Sequence, residues 1–365
     1  MYLKEIGITN FRNYKEGLSL IFSRSNNLFL GYNAQGKSNL LEAIYYLSLA
    51  HSFRGARDMD LINFEKDFFR LEGRIIKRDR EQDICITYSR DRTKHFIIDG
   101  VKGKSLNDII GQFTCVIFAP EHLQLVKGPP ALRRKYLDTQ ISQIVPRYYQ
   151  NLRDYKRIVR QRNEILKNRQ EEQLLLWDNY LCKAGTKIIE ARLRAVKKLT
   201  SIVRDSFFKI SGEDTVFEVD YCSTLGPLEC LLDEKSIFER YREKLTRKRE
   251  MEFRTCATMV GPHRDDLLML LDGKPLKDFG SQGQQRMAVI SLKMAELNFI
   301  KTFTGEYPVF LLDDVMSELD SRRRKYVVDL LTQVQTFITG TDRDQFDEEF
   351  LEGVAIKNIR CGKIY

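Results

Sequence analysis

Short apolar runs separated by polar turn residues fill the first 120 positions of the chain, and this pattern predicts β-strands. The runs lie at residues 2–8, 18–22, 28–30, 84–88, 96–98 and 114–118. Asp99 and Gly100, which follow the fifth run, form a dipeptide typical of hairpin turns. Residues 38–50 have apolar side chains three or four positions apart and are predicted to form a helix.

From residue 130 to about residue 254 the apolar residues recur at helical spacing. Members of this pattern are Leu152, Tyr155, Val159, Ile189, Leu193, Val196 and Ile202. We interpret these stripes as the buried faces of helices that pack against one another. The pattern predicts that residues 121–254 form a mainly helical lobe.

Strand-like runs return after residue 259. Those at residues 267–271 and 276–279 flank Asp272 and Gly273, a second hairpin signal. The other predicted elements are a helix at 284–301, a buried strand at 309–312, a helix at 322–334 and a strand at 336–339. Residues 1–120 and 255–365 are therefore predicted to form one α/β domain into which the helical lobe is inserted.

The composition narrows the class of protein. Hydrophobic residues make up 42% of the 365 positions, enough for a folded core, which excludes a disordered chain. No apolar run approaches the roughly 18 residues of a membrane-spanning helix, and the N-terminus lacks the apolar core of an export signal. The seven cysteines form no CxxC pair, so we expect neither disulfides nor a zinc site. These features predict a cytoplasmic protein with no membrane partner.

Residues 31–38 (GYNAQGKS) match the phosphate-binding pattern GxxxxGK[ST] at every fixed position. The segment follows a predicted strand and opens a predicted helix, as this motif requires. Backbone N–H groups of such a loop bind phosphates, its lysine contacts the β- and γ-phosphates, and its hydroxyl binds Mg²⁺. We count Lys37 also as a catalytic group. The predicted nucleotide contacts are Gly31, Tyr32, Asn33, Ala34, Gln35, Gly36, Lys37 and Ser38, the last also a metal ligand.

The second half of this site is predicted at the end of a neighbouring buried strand, residues 309–314, where four apolar residues precede Asp313 and Asp314. Asp313 is the candidate second ligand of Mg²⁺, directly or through water. Asp314 is the candidate catalytic group that orients the attacking water. Because Ser38 and Asp313 lie near opposite ends of the sequence, the chain must bring its ends together, with the helical lobe looping out between them.

Two further segments resemble motifs of the ABC-type P-loop ATPases. Residues 281–286 (SQGQQR) resemble the signature motif, and residues 317–320 (SELD) resemble the D-loop. In that superfamily the signature motif contacts the γ-phosphate held by the other subunit, so that two ATP molecules lie between two heads. The resemblance implies an ABC-type head and an ATP-dependent homodimer in which Ser281 and Gly283 contact ATP across the interface.

Five segments are similar to those of the RecF family, an SMC-like branch of these ATPases, and the similarity covers essentially the whole chain. They are residues 8–14, 38–45, 120–128, 133–138 and 261–266. The resemblance adds Arg12 and Asn39 to the expected ATP contacts. It also implies a DNA repair and replication protein that binds single-stranded and gapped DNA. Such a protein acts with RecO and RecR to load RecA in recombination and SOS induction.

Two features of the sequence depart from the pattern of ABC transporters, and one residue of that pattern is not assigned. Asp314 stands where transporters typically have glutamate, and its shorter side chain should orient water less well. We therefore expect slow, weak DNA-dependent ATP hydrolysis that acts as a nucleotide switch. Residues 337–341 occupy the place of the transporters' switch histidine, and the Gln-loop residue is open between the region of Glu121 and Gln124.

Basic residues outnumber acidic ones by 60 to 51, a formal charge of +9, and many of them crowd the helical lobe. Lysine and arginine bind DNA phosphates without regard to sequence, although charged helix faces are often simply solvated. The predicted DNA contacts are Arg153, Lys156, Arg157 and Arg160. Residues 322–325 are better explained as a helix surface near the D-loop.

Two other classes stay open. One is the ATPase subunit of an ABC-type transporter, although its inserted lobe is usually much shorter than the lobe predicted for this chain. The other is a short SMC-type structural protein, although this insertion is too short for a long coiled coil with a hinge. A GTPase is disfavoured because the chain has no NKxD motif.

Overall fold

The computed structural model describes residues 1–15, 17–212, 214–228, 233–315, 331–346 and 348–365. This part of the chain divides into two compact units. The first contains residues 1–123 and 289–365 with a few residues after Phe208, and the second contains residues 124–208 and 214–288. The division after Leu123 lies close to the predicted boundary at 120. Residues 255–288, which we expected in the α/β domain, belong to the second unit.

Strands predominate in the N-terminal part of the chain, and helices predominate in its middle. The N-terminal elements are β1 (Tyr2–Thr9), β2 (Leu18–Ile21), β3 (Asn26–Leu30), α1 (Lys37–Leu49), β4 (Phe68–Lys77), β5 (Arg80–Ser89), β6 (Lys94–Ile98), β7 (Val101–Lys102) and β8 (Cys115–Phe118). Next come α2 (Gln124–Lys127), α3 (Pro130–Ile144), α4 (Pro146–Lys167), α5 (Glu171–Ser211), β9 (Phe217–Cys222), α6 (Glu234–Thr255), β10 (Asp266–Leu271), β11 (Lys274–Pro275) and α7 (Leu276–Phe279). The C-terminal ones are α8 (Gln282–Thr304), β12 (Val309–Asp313), β13 (Thr336–Gly340), β14 (Ala355–Arg360) and β15 (Lys363–Ile364).

The first unit is built on two sheets. One is antiparallel, with strand order β2-β1-β4-β5-β6-β7. The other has the order β15-β14-β3-β13-β12-β8, and its strands β14, β3, β13, β12 and β8 are all parallel. Strands β8, β12 and β13 are buried along their whole length, as expected for a parallel sheet that is covered on both faces.

Helix α1 lies between the two sheets. It contacts β4 and β5 of the antiparallel sheet and β8, β12 and β13 of the parallel one. Of its thirteen residues, eleven are buried, including Glu42 and Ser48. A helix that is buried on all sides needs apolar residues around its whole circumference, which explains why residues 40–49 are almost uniformly apolar. This packing holds the start of α1 firmly at the end of β3.

The second unit combines long helices with a three-stranded sheet of order β11-β10-β9. Its helices α4 and α6 carry charged residues on one side and buried residues such as Leu152, Tyr155 and Tyr241 on the other. The lobe is therefore mainly helical, as predicted, but it also contains β9. Strand β10 pairs with β9 along its whole length, so residues 266–271 pack with the lobe. This pairing explains why the lobe extends to residue 288 rather than ending at the predicted residue 254.

Of the elements predicted for the C-terminal half, one strand is wrong and one helix lies mostly outside the described residues. The turn at Asp272 and Gly273 does close a hairpin, but the returning strand β11 has only two residues, and residues 276–279 form the helical turn α7 rather than a strand. Proline and the short apolar run after it leave too few alternating residues for a longer strand. The predicted helix at 322–334 falls mostly on residues 316–330, outside the described part of the chain.

Candidate functional site

The loop between β3 and α1 has the shape of a phosphate-binding loop. Gly31 follows β3 directly, and its N–H donates to the carbonyl of Gly340 at the end of β13 (3.2 Å). A Cβ on Gly31 would lie 2.4 Å from the carbonyl oxygen of Ile359, so no other residue fits there. Gly36 has a φ of +115°, a left-handed conformation that favours glycine. Both fixed glycines of the motif are thus required by local geometry.

Lys37 is the first residue of α1 and is 6% exposed. Its Nζ donates to the carbonyls of Gly31 (2.5 Å) and Tyr32 (3.2 Å). Burial lowers the pKa of its ammonium group, and the carboxylates of Asp314 and Asp313 oppose that shift. The lysine is therefore held inside the loop by backbone carbonyls. Tyr32, Asn33 and Ala34, at the outer edge of the loop, are exposed.

The two halves of the predicted site meet in the structure. The Ser38 hydroxyl donates to Oδ1 of Asp313 over 2.8 Å, although the residues are 275 positions apart. The Thr339 hydroxyl donates to the same oxygen (3.0 Å). Burial raises the pKa of the Asp313 carboxyl group, and the hydrogen bonds from Ser38 and Thr339 oppose that shift. Two oxygen ligands of the kind that Mg²⁺ prefers therefore lie side by side.

Strand β13 separates the two motif strands, because the sheet order is β3, β13, β12. This order corrects the expectation that the two motif strands are direct neighbours. Thr339 at the end of β13 bridges the gap, since its Oγ1 also accepts the N–H of Asp314 (2.9 Å). Asp314 has a φ of +55°, so the chain turns sharply where it leaves β12. Thr339 lies in the segment predicted to replace the switch histidine, and only its contacts reveal its role.

A network of polar side chains extends from Asp313 around the loop. Arg54 lies with its Nη2 3.7 Å from Asp313 Oδ2, and its Nη1 donates to Oδ1 of Asn39 (3.2 Å). Asn39 Nδ2 in turn donates to Oδ1 of Asn13 (2.8 Å). The sequence indicated Asn39 as an ATP contact but did not single out Arg54. No local pattern marks Arg54, because its partners are distant in the sequence.

Arg12 is held at the edge of this network by Glu42, a buried residue of α1. Its Nε and Nη2 donate to the two carboxylate oxygens of Glu42 (2.9 and 3.1 Å). Ser52 donates to the same carboxylate (2.5 Å). Arg12 has a φ of +54°, in a turn that leads to Asn13 and Tyr14 beside the phosphate loop. The structure therefore places Arg12 near the loop, though with its guanidinium bound to Glu42.

The region of Glu121 is one of the two candidates for the Gln-loop residue. Glu121 lies just after β8, the neighbour of β12 in the parallel sheet. Its carboxylate is close enough to raise the pKa of Asp313 further, after the larger effect of burial. Gln124 begins α2 and belongs to the second unit.

The segment that resembles the signature motif lies in the second unit, at the start of α8. The backbone N–H of Gln284 donates to the Ser281 hydroxyl (3.2 Å), and the backbone N–H of Ser281 donates to Oε1 of Gln284 (2.9 Å). This reciprocal pair is a capping box, which stabilises the helix start. Ser281 is exposed and Gly283 is half-buried. The proposed D-loop, residues 317–320, lies outside the described residues.

The predicted DNA contacts share one face of α4. Arg153, Lys156, Arg157 and Arg160 are all exposed, and their spacing of three and four places them along one side of the helix. Arg162, which belongs to the same basic segment, is different. It is completely buried, with ion pairs to Asp178 and Glu252 (2.8 and 2.6 Å). Charge counting along the sequence does not distinguish these two kinds of arginine.

Two of the segments that carry the family resemblance contact each other in the second unit. Arg133 binds both carboxylate oxygens of Asp266 (2.8 Å each), and Arg134 donates to the carbonyl of Asp265 (2.8 Å). His263 accepts a hydrogen bond from Tyr155 and donates to the carbonyl of Thr258. Burial lowers the pKa of His263 to about 4, so its ring is neutral at neutral pH. These residues stabilise the unit.

Comparison with known proteins identifies the family. The family model described as RecF/RecN/SMC N terminal domain matches residues 2–359. A protein of Clostridium perfringens named DNA replication and repair protein RecF is 38% identical over 370 residues, 100% of this chain and 99% of the relative. The chain belongs to the RecF family. A relative of the same name from Thermoanaerobacter pseudethanolicus is 40% identical over 347 residues, covering 94% of this chain and 95% of the relative.

Solved structures support the same placement. A structure described as the recombination mediator protein RecF-ATP in the RecFOR pathway has a TM-score of 0.92 and 37% identity, covering 100% of this chain and 97% of that one. An SMC head bound to the C-winged helix domain of ScpA has a TM-score of 0.57 at 15% identity, with coverage of 100% and 97%, and shows the shared fold alone. The predicted fold class, an ABC-type ATPase head with an inserted mainly helical lobe, is confirmed.

Two negative findings concern the described residues only. In the ranges that the structure covers, no helix combines the length and apolar character needed to cross a membrane. The same ranges hold no group of three or more His, Cys, Asp or Glu residues arranged as a metal site. The second finding is compatible with Mg²⁺ held by one hydroxyl, one carboxylate and phosphate oxygens, a common arrangement for this ion.

Proposed function

We propose that this RecF-family chain is an ATP-controlled DNA repair and replication protein. In this proposal the phosphate loop binds ATP, and Ser38 and Asp313 hold Mg²⁺. The observation that carries it is the 2.8 Å contact between Ser38 and Asp313, which joins the two halves of an ATPase site. The ATP-bound RecF structure of 37% identity supports the choice of ATP.

The metal fits the residues present. A serine hydroxyl and a carboxylate are oxygen donors, and Mg²⁺ in nucleotide sites is bound by one or two protein ligands with phosphate oxygens and water completing the shell. The bound ion supplies charge neutralisation for the phosphates. It would also lower the pKa of Asp313, which burial alone raises. Thr339 keeps the Asp313 carboxylate in place beside Ser38.

Asp314 is proposed to orient the attacking water. The hydrogen bond from its backbone N–H to Thr339 fixes the turn that carries it. Its side chain is one methylene shorter than the glutamate typical of ABC transporters, so we expect slow hydrolysis. Slow hydrolysis suits a switch, in which ATP closes a homodimer and its loss reopens it. We propose that Ser281 and Gly283 of each subunit contact the γ-phosphate bound by the other.

The dimer has a direct test. Sedimentation of wild type with ATP, ADP or no nucleotide is expected to show dimers with ATP alone, and Ser281→Arg is expected to remain monomeric. Arginine removes the hydroxyl from the interface and places a long side chain there. It also removes the helix cap, at a cost of about 1 kcal/mol. Ser281→Asn keeps an N-cap acceptor and separates the loss of the cap from the loss of the dimer.

The control for this test is Lys277→Ala on the exposed turn before the signature segment, which should dimerise as wild type does. A wild type that stays monomeric with ATP, or a Ser281→Arg variant that dimerises normally, rejects the proposed dimer. ATP binding by each variant is measured in the same samples, so that a loss of dimer is not confused with a loss of nucleotide.

We further propose that the basic face of α4 binds DNA, single-stranded or gapped. The basic face is Arg153, Lys156, Arg157 and Arg160, all exposed. Together with the RecFOR pathway named for the structural relative, it supports a role with RecO and RecR in loading RecA and in SOS induction. Contacts with phosphates release counterions, so affinity should fall steeply with salt.

Changing the four residues of the basic face to glutamine is expected to weaken binding of single-stranded DNA at least tenfold. The slope of log affinity against log salt should become shallower by up to about 3, since each lost phosphate contact contributes about 0.7. The matched control changes four exposed basic residues of the first unit to glutamine, with the same change in net charge: Arg80, Arg92, Lys102 and Lys104. Fluorescence anisotropy measures both. Equal losses in the two variants would reject a specific role for α4.

A further inference from the structure

The phosphate loop is held from outside at Gln35. Its carbonyl oxygen accepts two hydrogen bonds, from Asn13 Nδ2 (3.1 Å) and from the N–H of Gly362 (3.0 Å). Its side-chain Oε1 accepts the N–H of Cys361 (2.7 Å). Gln35 occupies one of the unspecified positions of the GxxxxGK[ST] pattern, so the motif counts it among the loop residues but does not require its side chain. In this chain it nevertheless connects the loop to two distant segments.

One of these segments is the C-terminal hairpin, formed by β14 and β15. Because β14 runs parallel to β3, its end lies beside the phosphate loop. The hairpin turns at Cys361 and Gly362, with φ values of +50° and +74°. Asn358 and Tyr365 exchange backbone hydrogen bonds of 3.0 and 2.9 Å, which close the hairpin. The turn is therefore a defined structure that presents two N–H groups to Gln35.

The second segment is the turn at Asn13 and Tyr14, and it lies against both the loop and the hairpin. A Cβ on Gly362 would lie 2.8 Å from the carbonyl oxygen of Asn13. A Cβ on Gly36 would lie 2.5 Å from Nδ2 of Asn13. The Tyr14 hydroxyl donates to the carbonyl of Gly36 (3.0 Å). Loop, turn and hairpin are thus packed so closely that a Cβ on Gly36 or Gly362 would not fit without a shift of its neighbours.

These contacts have a consequence for phosphate binding. In a trans peptide group the C=O and the N–H point in opposite directions. Fixing the Gln35 carbonyl outward therefore orients the N–H of Gly36 inward, and fixing the Gly36 carbonyl orients the N–H of Lys37 in the same way. N–H groups at this part of the loop are those that bind phosphate in such motifs. Preorganised donors bind a ligand more tightly than mobile ones, since their ordering cost is already met.

We propose that Asn13, Tyr14, Cys361 and Gly362 form an external clamp that positions the phosphate-binding N–H groups of Gly36 and Lys37. The C-terminal hairpin is then part of the ATP-binding apparatus, although it contains no nucleotide-binding motif. The four members of the clamp are positioning residues that act through Gln35 and Gly36. This inference rests on the proposed ATP binding and assigns that function to residues more than 300 positions from the loop as well as to the adjacent turn.

The test uses two glycines in equivalent turns. Gly362→Ala and Gly100→Ala both place alanine at a left-handed position, with φ values of +74° and +78°, and both follow a residue with a φ of +50°. The backbone strain is therefore matched. Nothing lies within 4 Å of a Cβ at Gly100, whereas a Cβ at Gly362 meets Asn13. Without nucleotide, Gly362→Ala should lose at least as much stability as Gly100→Ala, because its Cβ also meets a backbone oxygen. Only Gly362→Ala should bind ATP more weakly, by about tenfold.

Binding is measured with ATP carrying a fluorophore on the ribose, at a temperature where circular dichroism shows both variants folded. The rise in Tm with ATP is the second readout and should shrink for Gly362→Ala alone. Asn13→Ala removes the clamp from the other side without backbone strain and should weaken binding in the same direction. If Gly362→Ala does not fold, the ATP affinity of Asn13→Ala tests the clamp by itself. Equal Kd values for Gly362→Ala and Gly100→Ala, or wild-type binding by Asn13→Ala, overturn the clamp. A wild type that does not bind ATP overturns the proposed function instead.

Discussion

Replacing Lys37 by methionine is expected to raise the Kd for ATP at least a hundredfold. The side chain is buried, and its Nζ already lies inside the loop, bound to the carbonyls of Gly31 and Tyr32. When phosphate enters, the ammonium group exchanges these neutral partners for charged oxygens. Hydrogen bonds between charged groups in a partly desolvated site contribute about 1.5–3 kcal/mol each. A hundredfold change corresponds to about 2.7 kcal/mol, within reach of one or two such bonds.

Methionine is chosen because it preserves most of the apolar stem of lysine and removes the charge. Burial lowers the pKa of Lys37, which shows that its charged form is costly where it lies, so folding without nucleotide should be little affected. Titration with labelled ATP measures the Kd, and Lys66→Met, at an exposed lysine of the same unit, is the control. We also expect Lys37→Met to remain monomeric with ATP. A Kd within threefold of wild type would contradict the proposed phosphate contact.

Replacing Arg162 by methionine is expected to destabilise the second unit by about 3–5 kcal/mol, the usual cost of breaking a buried ion pair. The guanidinium is fully buried and binds Asp178, Glu252 and the hydroxyl of Thr258 at 2.6–2.9 Å. Burial alone would lower its pKa, but the two carboxylates outweigh that effect and raise it. Without Arg162, Glu252 would be a fully buried carboxylate that has lost its counter-ion.

The single tryptophan of the chain is a convenient probe for this experiment. Trp177 packs against the cluster of Ile165, Leu166 and Leu174 in the same unit, so its fluorescence reports unfolding there. Urea titration of wild type, Arg162→Met and the exposed control Arg157→Met gives the free energies of unfolding. The control should change stability by less than about 0.5 kcal/mol.

A double variant separates the ion pair from simple loss of packing. Arg162→Met combined with Glu252→Met removes the buried carboxylate as well, and part of the lost stability should return. If Arg162→Met is as stable as Arg157→Met, the buried pair contributes nothing. If the double variant is no better than the single one, the destabilisation comes from packing rather than from an unpaired charge.

The phosphate loop and the strand of Asp313 were predictable because each depends on neighbours in the sequence. A loop that wraps phosphate needs two glycines, a lysine and a hydroxyl at fixed spacing. In this chain the two glycines are Gly31 and Gly36. Strands β8 and β12 are nearly continuous apolar runs and β3 and β13 have short apolar centres, since both faces of a parallel sheet are covered. The structure confirms all four within one or two residues at either end.

Strands β9, β14 and β4 were not predicted, the first two because their patterns are weak. Strand β9 lies between two long helices and has six residues. Strand β14 carries Lys357 and Asn358 and is only partly buried, so its apolar signal is faint. Strand β4 alternates charged residues such as Arg70 and Glu72 with buried Phe69 and Leu71, a typical pattern for one face of an antiparallel sheet. It was missed although its alternation is readable.

Local spacing of residue types was enough to predict the chemistry proposed for this protein: a phosphate loop, a candidate metal-binding aspartate, a signature-like helix start and a basic helix face. The tertiary structure alone decided which groups surround that chemistry. The groups near the site that come from other parts of the chain are Thr339, Arg54, Glu121 and the C-terminal hairpin. Arg162 belongs to the basic segment of the sequence but forms a buried ion pair. The physical reason is the same in each case. A motif needs only its own backbone, whereas burial, pKa and hydrogen-bond partners depend on which helices, strands and loops the fold brings together.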